Sequence, residues 1–473
     1  MKNNIYKYLI AGSMLIGLSS CGNDFLNVDS REHIDAVDAT TVYDPVMFVN
    51  GTYGMMTDWD YAFSWLGVTE IISDNADKGS SPTDGGGDKL ILDDLQHTSS
   101  SGSIGAMWTR FYKTIGRANQ SIRYTEKFGL TDESYKNRLI GEAKFLRALH
   151  YFWLVRMFGD VPIQDLDDPT SWITRKPKAD VYAYIEKDLT DAIQVLPTKS
   201  QYAAADLGRA TKGAAQGLLS KVYLYEEKWQ QAYDMAGAVM NSGQYGLEPD
   251  YAKIWRLDGE NGVESLFEVQ ARGTSIAHGV HQYSQTQGAR GTGGWGWGFN
   301  VPSQNLLNAF NAAGDNIRRD ATIIFRGETL YDGKVVPATV ENPMYNEKAY
   351  SSANLGDADG DKNIRVLRYA EILLIRAEAA THIGADAATP LNLVRARVNL
   401  PAISSPTKQD VWNERRLELA FEHDRWFDIV RTGQGQAAMS ADGKTFVVGK
   451  HELFPIPNDQ IIQTPGIGQN PNW

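Results

Sequence analysis

The chain has 473 residues, 42% apolar and 11% aromatic, which is enough material for a large buried core. With 58 acidic against 46 basic residues its net charge is −12, and this excludes the basic surface that nucleic-acid binding requires. The chain has a single cysteine, so no internal disulfide can form and packing must supply the stability.

The first predicted element is an export signal over residues 1–20. Lys2 and Lys7 make its start positive, and Leu9 to Leu18 form an apolar run. That run is shorter than the roughly 20 residues needed to span a bilayer. Leu18-Ser19-Ser20 then leads into Cys21. A lone cysteine after small residues reads as a lipidation site, with acyl chains such as palmitate as the membrane anchor. Trp59, Tyr61, Phe63 and Trp65 alternate along the next stretch, a pattern that suits a half-buried strand or a ligand-facing edge.

Two tracts resist a helical reading. Residues 73–103 are rich in Gly, Ser and Asp. Here Asp74, Asn75, Asp77 and Lys78 offer acceptors and a donor suited to sugar hydroxyls, and Trp108 follows the tract. Residues 259–300 are rich in Gly, Gln and aromatics. Loops of this length are usually functional or disordered, and these two must converge on one face to build a site. Gly291 to Gly296 formally matches G-x-G-x-x-G, but Pro302-Ser303 places the next helix well after the glycines, so no dinucleotide site is expected. The loop is instead expected to be flexible and to display Trp295 and Trp297. One glycine separates them, so a locally extended backbone would point both rings the same way for stacking on a sugar. Tyr283 is a third aromatic candidate. Buried packing is the competing reading for each of these rings.

Between and after these tracts the chain reads as helix pairs. A helix over 134–158 carries Leu139, Ala143, Leu146, His150 and Trp153 on one face and stops at Gly159-Asp160-Val161-Pro162. It pairs with a helix over 105–128. Another helix runs over 179–196. From 211 to 245, Leu219, Ser220 and Tyr223 precede Ala232, Ala236 and Val239, and this large–small pattern resembles a tetratricopeptide unit. Residues 366–383 pair with 389–398 as a degenerate unit. Thr407 caps a helix expected over 408–431, with Asp410 completing a capping box. Its charges, Glu414, Arg415, Arg416, Glu418, Glu422, Asp424 and Arg425, read as a solvated or salt-bridged surface. Asp357, Asp359, Asp361 and Asn363 have spacing that a calcium loop could use. No Glu stands at the distance an EF-hand requires, so a solvated turn is the favoured reading. H-E-x-x-H, C-x-x-C and G-x-S-x-G are all missing, and no acidic pair stands out for glycoside hydrolysis.

Several segments together resemble the starch-utilisation (SusD/RagB-like) outer-membrane lipoproteins of Bacteroidetes. They are Cys21-Gly22-Asn23-Asp24-Phe25-Leu26, Ala143 to Ala148 leading to Phe158–Pro162, Val366–Leu374, Glu414-Arg415-Arg416 through Arg425-Trp426-Phe427-Asp428, and Leu453-Phe454-Pro455-Ile456-Pro457. The resemblance implies a mostly α fold, a tetratricopeptide-like helix-pair superhelix with an irregular, loop-rich ligand side, as a single domain over 21–473. It implies a non-catalytic, cofactor-free protein, lipid-anchored on the outer face of the outer membrane. There it would bind an oligosaccharide and pass it to a TonB-dependent transporter. It also implies ligand-contacting aromatics near Trp295 and Trp297. A peptide-binding lid of the same transporter type and an α-helical glycoside hydrolase are the alternatives.

Overall fold

The computed structural model describes residues 44–473, apart from 82, 169, 274–278 and 352–359. Cys21, the export signal, Asp357 and Asp359 therefore lie outside the described residues.

Among the described residues the helices of ten or more residues are, in chain order, α1 (Gly102–Lys127), α2 (Glu133–Phe158), α3 (Lys178–Val195), α4 (Lys212–Tyr225), α5 (Trp229–Met240), α6 (Gln304–Ala313), α7 (Tyr369–Ile383), α8 (Ala388–Arg397) and α9 (Lys408–Glu418). Their ends follow local chemistry. The Asp132 carboxylate accepts the Tyr135 amide at 3.0 Å to open α2, and Gly159 closes it at φ 70°. Thr211 opens α4 by accepting the Ala214 amide at 3.0 Å. Thr407 and Asp410 form the capping box that opens α9.

Helices α1 to α5 pack neighbour on neighbour in sequence order, α7 packs on α5, and α8 and α9 pack on α7. The small residues Ala232 and Ala236 are fully buried where α5 meets its neighbours. The chain is thus mostly helical, with helix pairs as its repeating unit. Among the described residues no helix is long and apolar enough to cross a membrane.

Among the described residues, three two-stranded antiparallel sheets lie in the irregular segments: β1 (Ala76–Gly79) with β3 (Phe299–Pro302), β2 (Ser265–Val269) with β6 (Ile364–Arg368), and β4 (Ile323–Phe325) with β5 (Met344–Asn346). The main core runs through the helix stack, and two smaller apolar clusters support the loop side. One is built on Leu306, Phe310 and Ile323, the other on Val301, Ile324 and Tyr345.

Three expectations need correction. The helix expected over 408–431 is broken: α9 ends at Glu418 and a short helix restarts at Arg425–Arg431, with Phe421 and His423 at positive φ between them. The break has a hydrogen-bonded anchor, because the His423 amide donates to a Glu70 carboxyl oxygen instead of to its own helix. The charges on this stretch are not a solvated face either. Glu414, Arg415, Glu418, Asp424 and Arg425 are buried and ion-paired. Finally, the alternating aromatic run is helical rather than extended, with short helices at Trp59–Ala62 and Ser64–Leu66.

Glu70 is fully buried, and burial pushes its carboxyl up to about 8. The folded state therefore holds it protonated where the unfolded chain, with a value near 4.5, ionises. Stability should fall as pH rises from about 4.5 to about 8, by up to about 1.4 kcal/mol per pH unit. Urea midpoints of the wild type and Glu70→Gln across that window check this. The variant should lose the slope, and an equal slope in both proteins would assign it elsewhere.

Candidate functional site

The antiparallel pairing of β1 with β3 brings the two non-helical tracts together. Gly79 faces Phe299, and the Ser80 amide donates to the Gly298 carbonyl at 2.6 Å. The segment entering β1 is clamped from below. Arg425 grips the Asp74 carboxylate at 2.7 and 2.8 Å, and Arg416 adds a contact at 3.1 Å while donating to Asn75 Oδ1 at 2.9 Å. Burial opposes the Asp74 charge, but the two guanidinium groups outweigh it and hold the carboxyl at about 2. Ser303, the cap of α6, completes the clamp by donating its hydroxyl to the Asp74 carbonyl at 2.8 Å.

The glycine loop after the short helix Gln282–Gln287 is a hydrogen-bonded wrap and not the free display expected. The amides of Trp295 and Gly296 both donate to the Ala289 carbonyl, at 2.8 and 2.9 Å, and that of Trp297 donates to Gln285 at 2.9 Å. Such a wrap requires glycine. A Cβ at Gly296 would lie 2.4 Å from the Gly288 Cα.

Because the backbone curls here, the two indoles part company. Trp297 meets Trp59 edge-on at 5.7 Å and Phe63 at 6.5 Å, while Trp59 stacks on Phe63 at 5.1 Å. All three rings are half-buried, so they form an aromatic patch with solvent-facing area. Trp295 turns the other way, to Tyr350 at 5.4 Å, and the Lys334 ammonium sits 4.6 Å from its ring centre. Beside the patch, Arg290 pairs with Asp84 at 2.5 Å and Glu341 at 3.1 Å, and its guanidinium reaches the Ser80 hydroxyl at 3.3 Å. These groups form a polar rim around an apolar platform.

The other predicted site residues are placed inside. Trp65 is 4% exposed and wedged among Phe111, Trp153 and Phe427. Trp108 is equally buried and donates its indole N–H to Gln460 at 3.2 Å. The Tyr283 hydroxyl meets His423 Nε2 at 3.3 Å in the core. Asp74 and Asn75 are occupied by the arginine clamp, and buried Lys78 donates its ammonium to the Ser81 carbonyl. Asp77 is half-buried; burial, with Asp93 adding, pushes its carboxyl up to about 6. Asp361 accepts the Gly273 amide at 2.6 Å. Among the described residues no group of three His, Cys, Asp or Glu could hold a metal ion.

Trp59 and Phe63, expected only as part of an alternating run that could face a ligand, have a sharper signal in their spacing of four. On a helix this puts them on one face, while Tyr61 and Trp65, also four apart, share another. Arg290, Asp84 and Glu341 have no comparable signal.

A helix-pair body with an aromatic, polar-rimmed patch on its loop side has the build of a ligand-binding protein. The chain belongs to the SusD family. Residues 25–224 match the family model described as "Starch-binding associating with outer membrane", and residues 263–473 match that of the SusD family itself. A SusD-like protein of Formosa agariphila is 30% identical over 469 residues, covering 89% of this chain and 90% of the relative. The starch-binding protein SusD of Bacteroides thetaiotaomicron is 24% identical, with 78% of each chain covered. Among solved structures, a laminarin binding SusD-like protein superposes with a TM-score of 0.79 at 29% identity, covering 91% of this chain and 99% of that one. Surface glycan-binding protein A from Bacteroides thetaiotaomicron, in complex with laminarihexaose, shares the fold with a TM-score of 0.78 at 22% identity, covering 90% and 98%. These relatives carry the names of binding proteins.

Replacing Asp74 by Asn would leave buried Arg425 and half-buried Arg416 without their counter-charge. We expect a loss of about 3 kcal/mol, measured as a lower urea midpoint. An unchanged midpoint would show that the clamp has no net weight.

Proposed function

We propose that this protein captures oligosaccharides at the outer-membrane surface and passes them, chemically unchanged, to a TonB-dependent transporter. The observation that carries this reading is the half-buried Trp59–Phe63–Trp297 patch, set where β1 and β3 draw the two loops together. Flat aromatic faces cover the C–H face of a sugar ring, and the charged rim supplies donors and acceptors for its hydroxyls. The names of the laminarin-binding and glycan-binding relatives support the ligand class, and the family description supports the membrane. Lipid on Cys21 would be the tether, and the transporter role rests on the family resemblance.

Calorimetry on a soluble form beginning at Gly22 tests the ligand class, with laminari- and malto-oligosaccharides and peptides as the panel. We expect a sugar to bind without turnover, and Trp297→Ala to weaken binding about tenfold. Peptide binding with every glycan silent would overturn the carbohydrate reading. For the anchor, Cys21→Ala should move the protein from the membrane to the soluble fraction of cells. Membrane retention of that variant would remove Cys21 as the tether.

A further inference from the structure

Next to the aromatic patch lies an open polar cleft of about 480 Å³, within the size range of small-molecule sites. The internal cavities of the helix stack, at 20 to 30 Å³, hold no more than a water or two. One wall of the cleft is the first turns of α1 and the other is the short helix Asn458–Gln463. Along α1, Gly102, Gly105, Ala106, Thr109 and Lys113 fall on one face at helical spacing, and the small residues keep the space open. A Cβ at Gly105 would meet only Pro457, at 4.0 Å. The walls are held apart at a set distance. The Asn458 amide donates to the Ser99 carbonyl at 2.8 Å, and Trp108 donates to Gln460.

The charges that line the cleft cancel, Arg110 and Lys113 against Asp60 and Asp459. Arg110 is paired with Asp60 at 2.8 Å, and with Asp58 outside the lining at 2.9 Å, which leaves Lys113 on one wall and Asp459 on the other. Among the described residues, the side chains of Lys113, Asn458, Asp459 and Gln463 have no hydrogen-bond or ion-pair partner in the protein. They present donors and acceptors to whatever fills the cleft. Two contacts tie the walls of the cleft to the patch, one along the chain and one beneath the surface. Asp60 lines the cleft while its neighbour Trp59 belongs to the patch. Lys89 places its ammonium 4.1 Å from the Phe63 ring centre and donates to Ser103 on α1 at 2.5 Å.

We infer that this cleft is a second subsite, which hydrogen-bonds the far end of a neutral oligosaccharide whose near end stacks on Trp297 and Trp59. The inference rests on the capture reading and adds a length preference to it: short sugars use the patch alone, longer ones use both. The test is calorimetric titration of the wild type and of Asn458→Ala/Gln463→Ala with laminaribiose and laminarihexaose. Both substituted side chains are exposed, and equal melting temperatures would confirm an intact fold. The double variant should bind the hexaose about tenfold more weakly, as expected for two lost hydrogen bonds, and bind the biose within about twofold of wild type. Ala106→Trp, which fills the cleft from α1, should reproduce that pattern. Unchanged hexaose affinity in both variants would overturn the subsite while leaving capture at the patch intact. Equal weakening for both sugars would also overturn it, because no length preference would remain. A wild type that binds neither sugar would overturn capture of laminari-oligosaccharides and, with it, the subsite proposed for them.

Discussion

The structure turns on a buried ionic hub at Glu418. This carboxylate has no exposed surface and is held by Arg318 at 2.9 Å, Arg368 at 2.5 Å and also by Arg397. Arg368 reaches on to Glu264 and Glu422, and Arg318 to Glu414. Segments around residues 264, 318, 368, 397 and 418 thus meet at one point. Burying charges is costly, and such a hub persists only when every member is paired; removing one partner typically costs about 3 to 5 kcal/mol. Directional pairing also fixes how β2, β6 and the ends of α8 and α9 sit on the helix stack, which apolar packing would fix less strictly.

That geometry extends to the ligand side. Just beyond the hub, α9 supplies Arg416, and the next short helix supplies Arg425. These two hold Asp74, Asp74 leads into β1, and β1 sets β3 and the Trp297 loop. The aromatic patch is therefore the surface end of a chain of contacts that starts in the ionic core. Family motifs such as Glu414-Arg415-Arg416 and Arg425-Trp426 belong to this chain of support, which is why they say much about the fold and little about the ligand.

The helices were legible because their signals are local. Periodic apolar faces, Thr211, Thr407 and Gly159 mark both ends of α2 and the starts of α4 and α9 within a residue or two. What failed were features settled at long range. The break after Glu418 depends on Glu70, more than 300 residues away. The polar run at 74–78 looked ready for sugar hydroxyls, but two distant arginines claim its first members. Alternating aromatics suggested a strand, and only the helical turn at Trp59–Ala62 sorts them into core and surface sets. Convergence of the two loops was a requirement that the sequence could pose, and the β1–β3 register is what meets it.

The tightness of the glycine wrap bears on timing. The wrap sets Gly296 against Gly288, and in the turn before it a Cβ at Gly279 would lie 1.8 Å from the Trp59 nitrogen, so the backbone that carries Trp59 and Trp297 is closely held. A surface already ordered before contact has little conformational entropy left to lose, so encounters can be productive without rearrangement. Affinity differences among ligands then fall mainly on how long each one stays. A rigid patch suits a carrier, because short residence comes from limiting the contacts it offers and not from having to melt a closed grip.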